Sequence, residues 1–255
     1  MIKKVDQAKL DQKVRGEIAS DLKKFANVLQ NTFGRTFALS PITSAIEEVK
    51  TYGEEGRWGY SVENLIIPTK ITRHLCPPNL KMYELSVSAQ VKGRTIAWDE
   101  KGLVERLDDS NFNATLRAEN YQTSNITFEY KVGFHIDKLR DGDGSEEMHP
   151  LYHVHYFNES GIEGDNNIRA FNLDSPRLAH HPVDFILGTI LVIANFNKQK
   201  YDEICENGLC KSLCLEYANK IIRPYYKSIS DIFGDKDDEF KSPIKENTYL
   251  PYLSL

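Results

Sequence analysis

Five of the seven histidines of this 255-residue chain, His149, His153, His155, His180 and His181, fall within 33 consecutive positions. Neutral imidazole ligates zinc, iron, copper, nickel or manganese, and near its ordinary pKa it carries protons, so this concentration is the first place to look for chemistry. In the segment MHPLYHVHYF the histidines take odd positions. An extended backbone would put His149, His153 and His155 on one face, with His153 and His155 about 7 Å apart. Two rings at that spacing can close on one ion or one anionic group.

A second group precedes an apolar run. In DSPRLAHHPVDFILGTILVIANF, Arg177, His180, His181 and Asp184 stand just before, or in the first turn of, a predicted helix. A helix start offers free N–H groups and a partial positive potential, which suits an anion or the Asp184 carboxylate, while arginine adds a planar fork for phosphate or carboxylate. The expected roles are acid–base chemistry for His149, His153, His180 and Asp184, anion binding for Arg177, and ligation of a divalent transition metal by His153, His155 and His181. The two groups are expected to converge on one polar pocket. The competing reading is structural: strand histidines stack on aromatics or bond to carbonyls, and Asp184 stabilises a helix end. His135 joins the site only if its polar sheet face is the one carrying His153 and His155.

Other motifs are weaker. Cys205, Cys210 and Cys214 in CENGLCKSLC lack the C-x2-C knuckle of common zinc sites and read as reduced, mostly buried thiols. In the loop DGDGSEE, Asp141, Asp143 and Ser145 alternate, but Glu146 takes the glycine place of a calcium loop and Tyr152 the place of its closing glutamate. Phosphate-loop, dinucleotide, GxSxG and HExxH signatures are absent from the sequence.

The elements that must position these residues follow from periodicity. Val5, Leu10, Val14, Ile18, Leu22, Phe25, Val28 and Leu29 recur at helical spacing, and Ser40-Pro41 announces a second helix toward Lys50, with serine able to cap it. The middle changes to period two. Leu85 to Val91 and Arg94 to Trp98, joined by Lys92-Gly93, predict a hairpin. Residues 126–136 predict a strand with Phe128, Tyr130, Val132 and Phe134 on one face, and Glu129, Lys131, Gly133 and His135 on the other. Residues 137–147 read as a polar loop, followed by strands over 150–157 and 168–173. After Pro182 come a buried helix over 185–196 and a helical stretch over 201–222 that breaks at Asn207-Gly208 and stops at Arg223-Pro224. The expected fold is α+β, a mainly antiparallel sheet flanked by the N-terminal amphipathic helix and a C-terminal helical segment. One domain is expected over 1–235, with a helical region over about 1–55, and a polar tail over 236–255.

Composition narrows the function classes. A net charge of −5 argues against coating nucleic acid by bulk electrostatics. The first 35 residues carry eight Lys and Arg against four Asp and Glu, so a basic helix is the one route to nucleic acid. The longest apolar run has 12 residues where a membrane-spanning helix needs about 20, so no membrane partner is expected. The N-terminal residues lack the apolar stretch of a secretory signal, which predicts a cytoplasmic location. A homodimer is plausible on general grounds.

The strand HPLYHVHYF followed by LDSPRLAHHPVDFILGTILVIANF resembles a group of bacterial proteins of unknown function that carry a His-Pro-Leu-x-His strand and a Pro-Arg-x-x-His-x-Pro-x-Asp helix start. The matching positions are His149, Pro150, His153, Pro176, Arg177, His180, Pro182, Asp184, Asn195 and Phe196. That group does not generally need histidine at the places of His155 and His181. The resemblance brings no activity with it. The leading expectation is therefore an accessory or interaction protein of a bacterial toxin, defence or mobile-element operon, with a partner encoded nearby. The alternative is a metal-dependent or histidine-based hydrolase or phosphodiesterase, including a nuclease; a nucleic-acid-binding module is third.

Overall fold

The helical period at the N-terminus becomes α1 (Gln7–Phe33), in which the Asp6 carboxylate caps the first turn by accepting from Lys9 N and Gly34, at φ 94°, ends the last. Its buried stripe, Val14, Ile18, Leu22, Phe25 and Leu29, is the one the spacing predicts. In α2 (Ser40–Lys50) Pro41 sits in the first turn as expected, but Ser40 is itself helical and Leu39 occupies the cap without a side-chain bond. This computed structural model describes residues 6–69, 80–101, 104–123, 126–138, 150–159, 161–162 and 177–232. His149, the expected strand over 168–173, most of the loop over 137–147 and the tail over 236–255 lie outside them.

Among the described residues seven strands form one antiparallel sheet: β1 (Arg57–Ile66), β2 (Leu80–Arg94), β3 (Asp109–Thr123), β4 (Ile126–Lys138), β5 (Tyr152–Asn158), β6 (Gly161–Ile162) and β7 (Leu178–Ala179). Their order is β1-β2-β3-β4-β5-β7, with β6 paired to the far end of β4. The predicted hairpin at Lys92-Gly93 is replaced by one continuous strand, β2, that runs on into a short helix, α3 (Thr95–Asp99). Gly93 marks close approach, because a Cβ there would lie 2.3 Å from the Arg106 carbonyl and 2.8 Å from the Trp58 ring.

The sheet has two chemically distinct faces. Leu85, Val87, Ala89 and Val91 on β2, Phe112 and Ala114 on β3, Ile136 on β4 and Val154 on β5 join the helices in one apolar core. The opposite parity gives Ser88 and Gln90, Asn111 and Asn113, His135 and Asp137, then His153 and His155, partners across neighbouring strands. The α+β class with a mainly antiparallel sheet and flanking helices is thus the observed architecture.

The apolar run becomes α4 (Phe185–Phe196), lodged between sheet and α1. Phe185 packs edge-on against Phe25 at 5.7 Å, and a Cβ on Gly188 would lie 2.4 Å from the Phe112 ring. Phe185, Ile186, Val192 and Ile193 are fully buried, each worth about 1.5–3 kcal/mol, whereas Leu187, Ile190 and Leu191 are half-buried and Asn195 is exposed. Next come α5 (Lys198–Glu206) and α6 (Gly208–Tyr217), separated at Asn207 as predicted, a π-helical turn over Ala218–Ile222, and α7 (Arg223–Ile232). Pro224 does not stop this segment. The carbonyl it leaves without an N–H, that of Lys220, accepts instead from Arg106 Nη1 at 2.8 Å, and the wider turn lets the helix continue. Among the described residues no helix is long and apolar enough to cross a membrane.

Candidate functional site

Strand register assembles the first group. His135 and Asp137 are two residues apart on β4 and therefore share a face; His155 lies directly opposite His135 on β5, and His153 directly opposite Asp137. Ala179 of β7 pairs with His153, so continuing the strand backwards brings Arg177 alongside His155 on that same face. His135 is thus on the face of His153 and His155, the condition set for its membership. Asp137, which sequence reasoning put in a loop, is in the strand.

The cluster is tight and sheltered. His153 is 4% exposed, and its Nε2 lies 2.9 Å from Asp137 Oδ1. His135 Nε2 is 3.8 Å from Asp137 Oδ2, and one ligand atom from each of His135, Asp137 and His153 falls within 4.8 Å of the others. An ion at about 2.0–2.2 Å from each donor needs them roughly 3–3.5 Å apart, so side-chain rotation of about 1 Å at the widest pair would close the set. The His155 ring meets His135 edge-on at 4.8 Å.

The electrostatics favour the ligand forms. Burial, reinforced by His155, His153 and Arg177, holds His135 below the usual imidazole value against the opposing pull of Asp137. Burial resists ionisation of Asp137, but the hydrogen bond from His153 and the influence of His135 and Arg177 outweigh it and keep the carboxyl below its ordinary range. Neutral imidazole beside ionised carboxylate is the donor set a divalent ion requires.

The second group does not converge on this site as a whole. Only Arg177 lies near it. His180 is one residue past Ala179, its N–H donating to the Tyr152 carbonyl at 3.0 Å, so strand alternation turns it to the opposite face. Its Nδ1 meets the His181 carbonyl at 2.7 Å, and the two rings lie 4.1 Å apart, tilted by 31°. Burial lowers the pKa of His180, and burial together with His180 pulls His181 down to about 4. His181 then reaches the Tyr226 hydroxyl at 3.4 Å. Asp184 caps α4, its Oδ1 accepting from Leu187 N at 3.0 Å, and the Ser110 hydroxyl fixes the preceding Val183 carbonyl at 2.7 Å. Asp184 therefore lies on the helix side of the sheet, beside Tyr60, where burial raises its carboxyl to about 6 despite the backbone N–H groups of Leu187 and Ile186. Of Arg177, His180 and Asp184, any of which was expected beside His149 or His153, Arg177 alone joins the strand cluster, while His180 and Asp184 lie in a separate environment.

Two further expectations can be placed. Cys205, Cys210 and Cys214 are free thiols, with Cys210 and Cys214 3.8 Å apart on one helix face as their spacing predicts. The basic side chains of α1 are largely engaged within the protein: Lys9 with Asp6, Lys13 with Asp99, Arg15 with Asp11 and Lys24 with Asp21.

The residue missed from sequence is Asp137. The usable signal was His135-Ile136-Asp137, two polar residues bracketing an apolar one in strand phase, which continues the alternation one step beyond where a polar loop seemed to begin. Comparison of the chain with protein-family profiles, with curated proteins and with solved structures gives no match.

Proposed function

We propose that this protein is a divalent-metal-dependent hydrolase of an anionic ester, with His135, Asp137 and His153 as ligands, Arg177 beside the anionic group and His155 moving the proton. The observation that carries this reading is the two-histidine, one-carboxylate set, drawn from two strands, with donor atoms within 4.8 Å of one another. Three protein ligands leave coordination positions open for water and substrate, the arrangement of catalytic rather than structural sites. In the reaction the oxygen of water bonds to the electrophilic centre of the ester and the bond to the leaving oxygen breaks. The proton released by water passes through His155 to that leaving oxygen, giving an alcohol and an acid.

The test begins with metal content. Purified full-length protein, stripped and re-exposed to Zn2+ or Mn2+, is expected to take up one ion per chain by elemental analysis, and His153→Ala and Asp137→Asn to lose it while keeping the native circular dichroism. Turnover of a panel of chromogenic phosphate and carboxylate esters should follow the bound ion. Failure of the wild-type chain to bind either ion would sink this reading.

That failure would favour the second reading, an accessory or interaction protein, in line with the resembling bacterial group and a toxin, defence or mobile-element setting. The observation on its side is that His153 is almost fully buried and bonded to Asp137, as a purely structural network would also have it.

A further inference from the structure

We propose that Cys210 and Cys214 form a binding site for a soft monovalent ion, Cu(I), held between their two sulfurs. The site stands apart from the ion at His135, Asp137 and His153.

The pair is built into α6. Residues four apart on a helix are neighbours on one face, and here the two Sγ atoms are 3.8 Å apart. The start of the helix is pinned: the Asn207 side chain accepts from Leu209 N at 3.0 Å and from Cys210 N at 3.1 Å, which gives the first thiol a fixed seat. Cys210 is 2% exposed and belongs to the apolar core, while Cys214 is half-buried and packs against that core. An ion between them is backed by apolar side chains and reached from the Cys214 side.

A disulfide does not suit the pair. A helix sets the Cβ atoms of such neighbours about 5–6 Å apart, whereas a disulfide needs about 3.5–4.5 Å, so oxidation would require α6 to unwind. One ion asks for no such movement. Metal–sulfur bonds of about 2.3 Å place two sulfurs about 3.8 Å apart at the tetrahedral angle and about 4.6 Å apart in line, and the observed 3.8 Å falls in that span.

The donors select the ion. Thiolates are soft ligands and favour Cu(I) and zinc over the hard cations. Zn2+ takes four protein ligands in structural sites and three in catalytic ones. Two sulfurs fall short of either, and the Cys205 thiol lies more than 4.8 Å from at least one of them. Cu(I) is satisfied by two thiolates. The hydrogen bond between the sulfurs pulls Cys214 below the ordinary thiol range and, with burial, pushes Cys210 up. The pair thus gives up one proton more readily than a lone thiol and keeps the other between the sulfurs. Cu(I) takes the place of that second proton, charge for charge, so its binding adds no net charge to a sheltered site.

The experiment uses the full chain, reduced and kept free of oxygen, titrated against Cu(I) supplied as its coloured bicinchoninate complex. The wild-type chain is expected to withdraw one equivalent of Cu(I) and to gain thiolate-to-copper absorption in the ultraviolet. Cys214→Ser should weaken this binding by about 100-fold or more, beyond what losing a hydrogen-bond partner behind a ligand costs. Cys210→Ser should do the same; where that buried substitution fails to fold by circular dichroism, the Cys214 variant carries the comparison alone. Cys76→Ser, Cys205→Ser and His153→Ala should stay within about twofold of wild type. Copper left on the dye by the wild-type chain, or taken equally well by Cys214→Ser, overturns the proposal. A loss as large at Cys76, Cys205 or His153 would move the copper to other ligands and overturn it too. Uptake of Zn2+ or Mn2+ by the strand cluster is measured separately, so this proposal and the metal reading above fail independently.

Discussion

On β4 and β5, His135, Asp137 and His153 come from different strands and present their polar atoms to one another across the register. At the start of α4, His180, His181 and Asp184 come from one short segment, and each turns to a different neighbour: a carbonyl, a tyrosine hydroxyl, a helix N–H. The residue types are alike. What differs is the backbone: a sheet face collects side chains that are distant in sequence, whereas a chain entering a helix consumes adjacent ones as caps and stacking partners. Density of histidine along a sequence therefore says little about a shared site until the period of the backbone is known.

The largest effect that could break this contrast concerns metal affinity. Removing one of the proposed ligands of the strand cluster, by His153→Ala or Asp137→Asn, should weaken binding by more than about 100-fold, beyond what losing a hydrogen-bond partner behind a ligand costs. His180→Ala should leave it within about twofold. Direct metal titration monitored by calorimetry makes the comparison, and equal losses at His153 and His180 would mean that the two groups act as one after all.

The next effect isolates the helix start. Asp184 is buried with its carboxyl raised to about 6 from the model-compound value of 3.8. The folded state thus holds this proton more tightly than the unfolded chain. Its contribution is fully present below about pH 3.8 and is lost as pH rises through about 6, an effect of about 3 kcal/mol for two pH units at a buried site. Asp184→Asn keeps a capping oxygen but cannot titrate. Relative to wild type, it should gain stability as pH rises from about 4 to 6.5, read from urea unfolding at intervals across that range, with metal affinity unchanged. A difference between the two proteins that is flat with pH would show that Asp184 is not desolvated as its burial implies.

Gly188→Ala probes the seat of α4 without touching either group. Its Cβ would meet three atoms of the Phe112 ring at 2.4, 2.5 and 2.8 Å, so the helix must lift from the sheet. Overpacking of this kind costs about 1–3 kcal/mol, somewhat offset by the better helix propensity of alanine. Thermal unfolding should show the loss while metal affinity holds; coupled loss of both would place the cluster under the control of the helix layer.

These contrasts also explain what the sequence could convey. Alternation over residues 126–136 was strong enough to give the strand and the facing of His135, and the odd-numbered histidines of β5 were read on their correct face. Asp137 was lost because Asp-Lys-Leu-Arg-Asp-Gly has the composition of a turn, although cross-strand pairing with His153 and Asn111 carries the strand to Lys138. β3 went unread because Asn111, Asn113, Arg117 and Asn120 are poor strand formers individually; pairing on both sides, to β2 and β4, outweighs that propensity. Thr95 to Trp98 alternated like a strand over too few residues to exclude the helical turn that forms there. The separation of Asp184 from His153 lay in the path of the chain between two elements, which periodicity within either does not encode.

The smallest effect is the sharpest for the comparison, because it sets two members of the helix-start group against each other. His181 is depressed to about 4 by burial and by the neighbouring His180 ring, so the folded state holds this proton less tightly than the unfolded chain. Its contribution is present above the ordinary imidazole value of about 6.5 and is lost as pH falls from there toward 4. Asp184 acts in the opposite direction over nearly the same interval, gaining as pH falls from about 6. In the wild-type chain the two slopes oppose. His181→Ala removes one of them: near pH 7.5 the substitution of a half-buried ring that makes one long hydrogen bond to Tyr226 should cost no more than about 1 kcal/mol, and below pH 6 the deficit should shrink and reverse sign. Unfolding midpoints at pH 5 and 7.5 decide it. A deficit of the same size at both values would mean that His181 is solvated in solution, and that the helix-start group lacks the internal opposition that distinguishes it from the strand cluster.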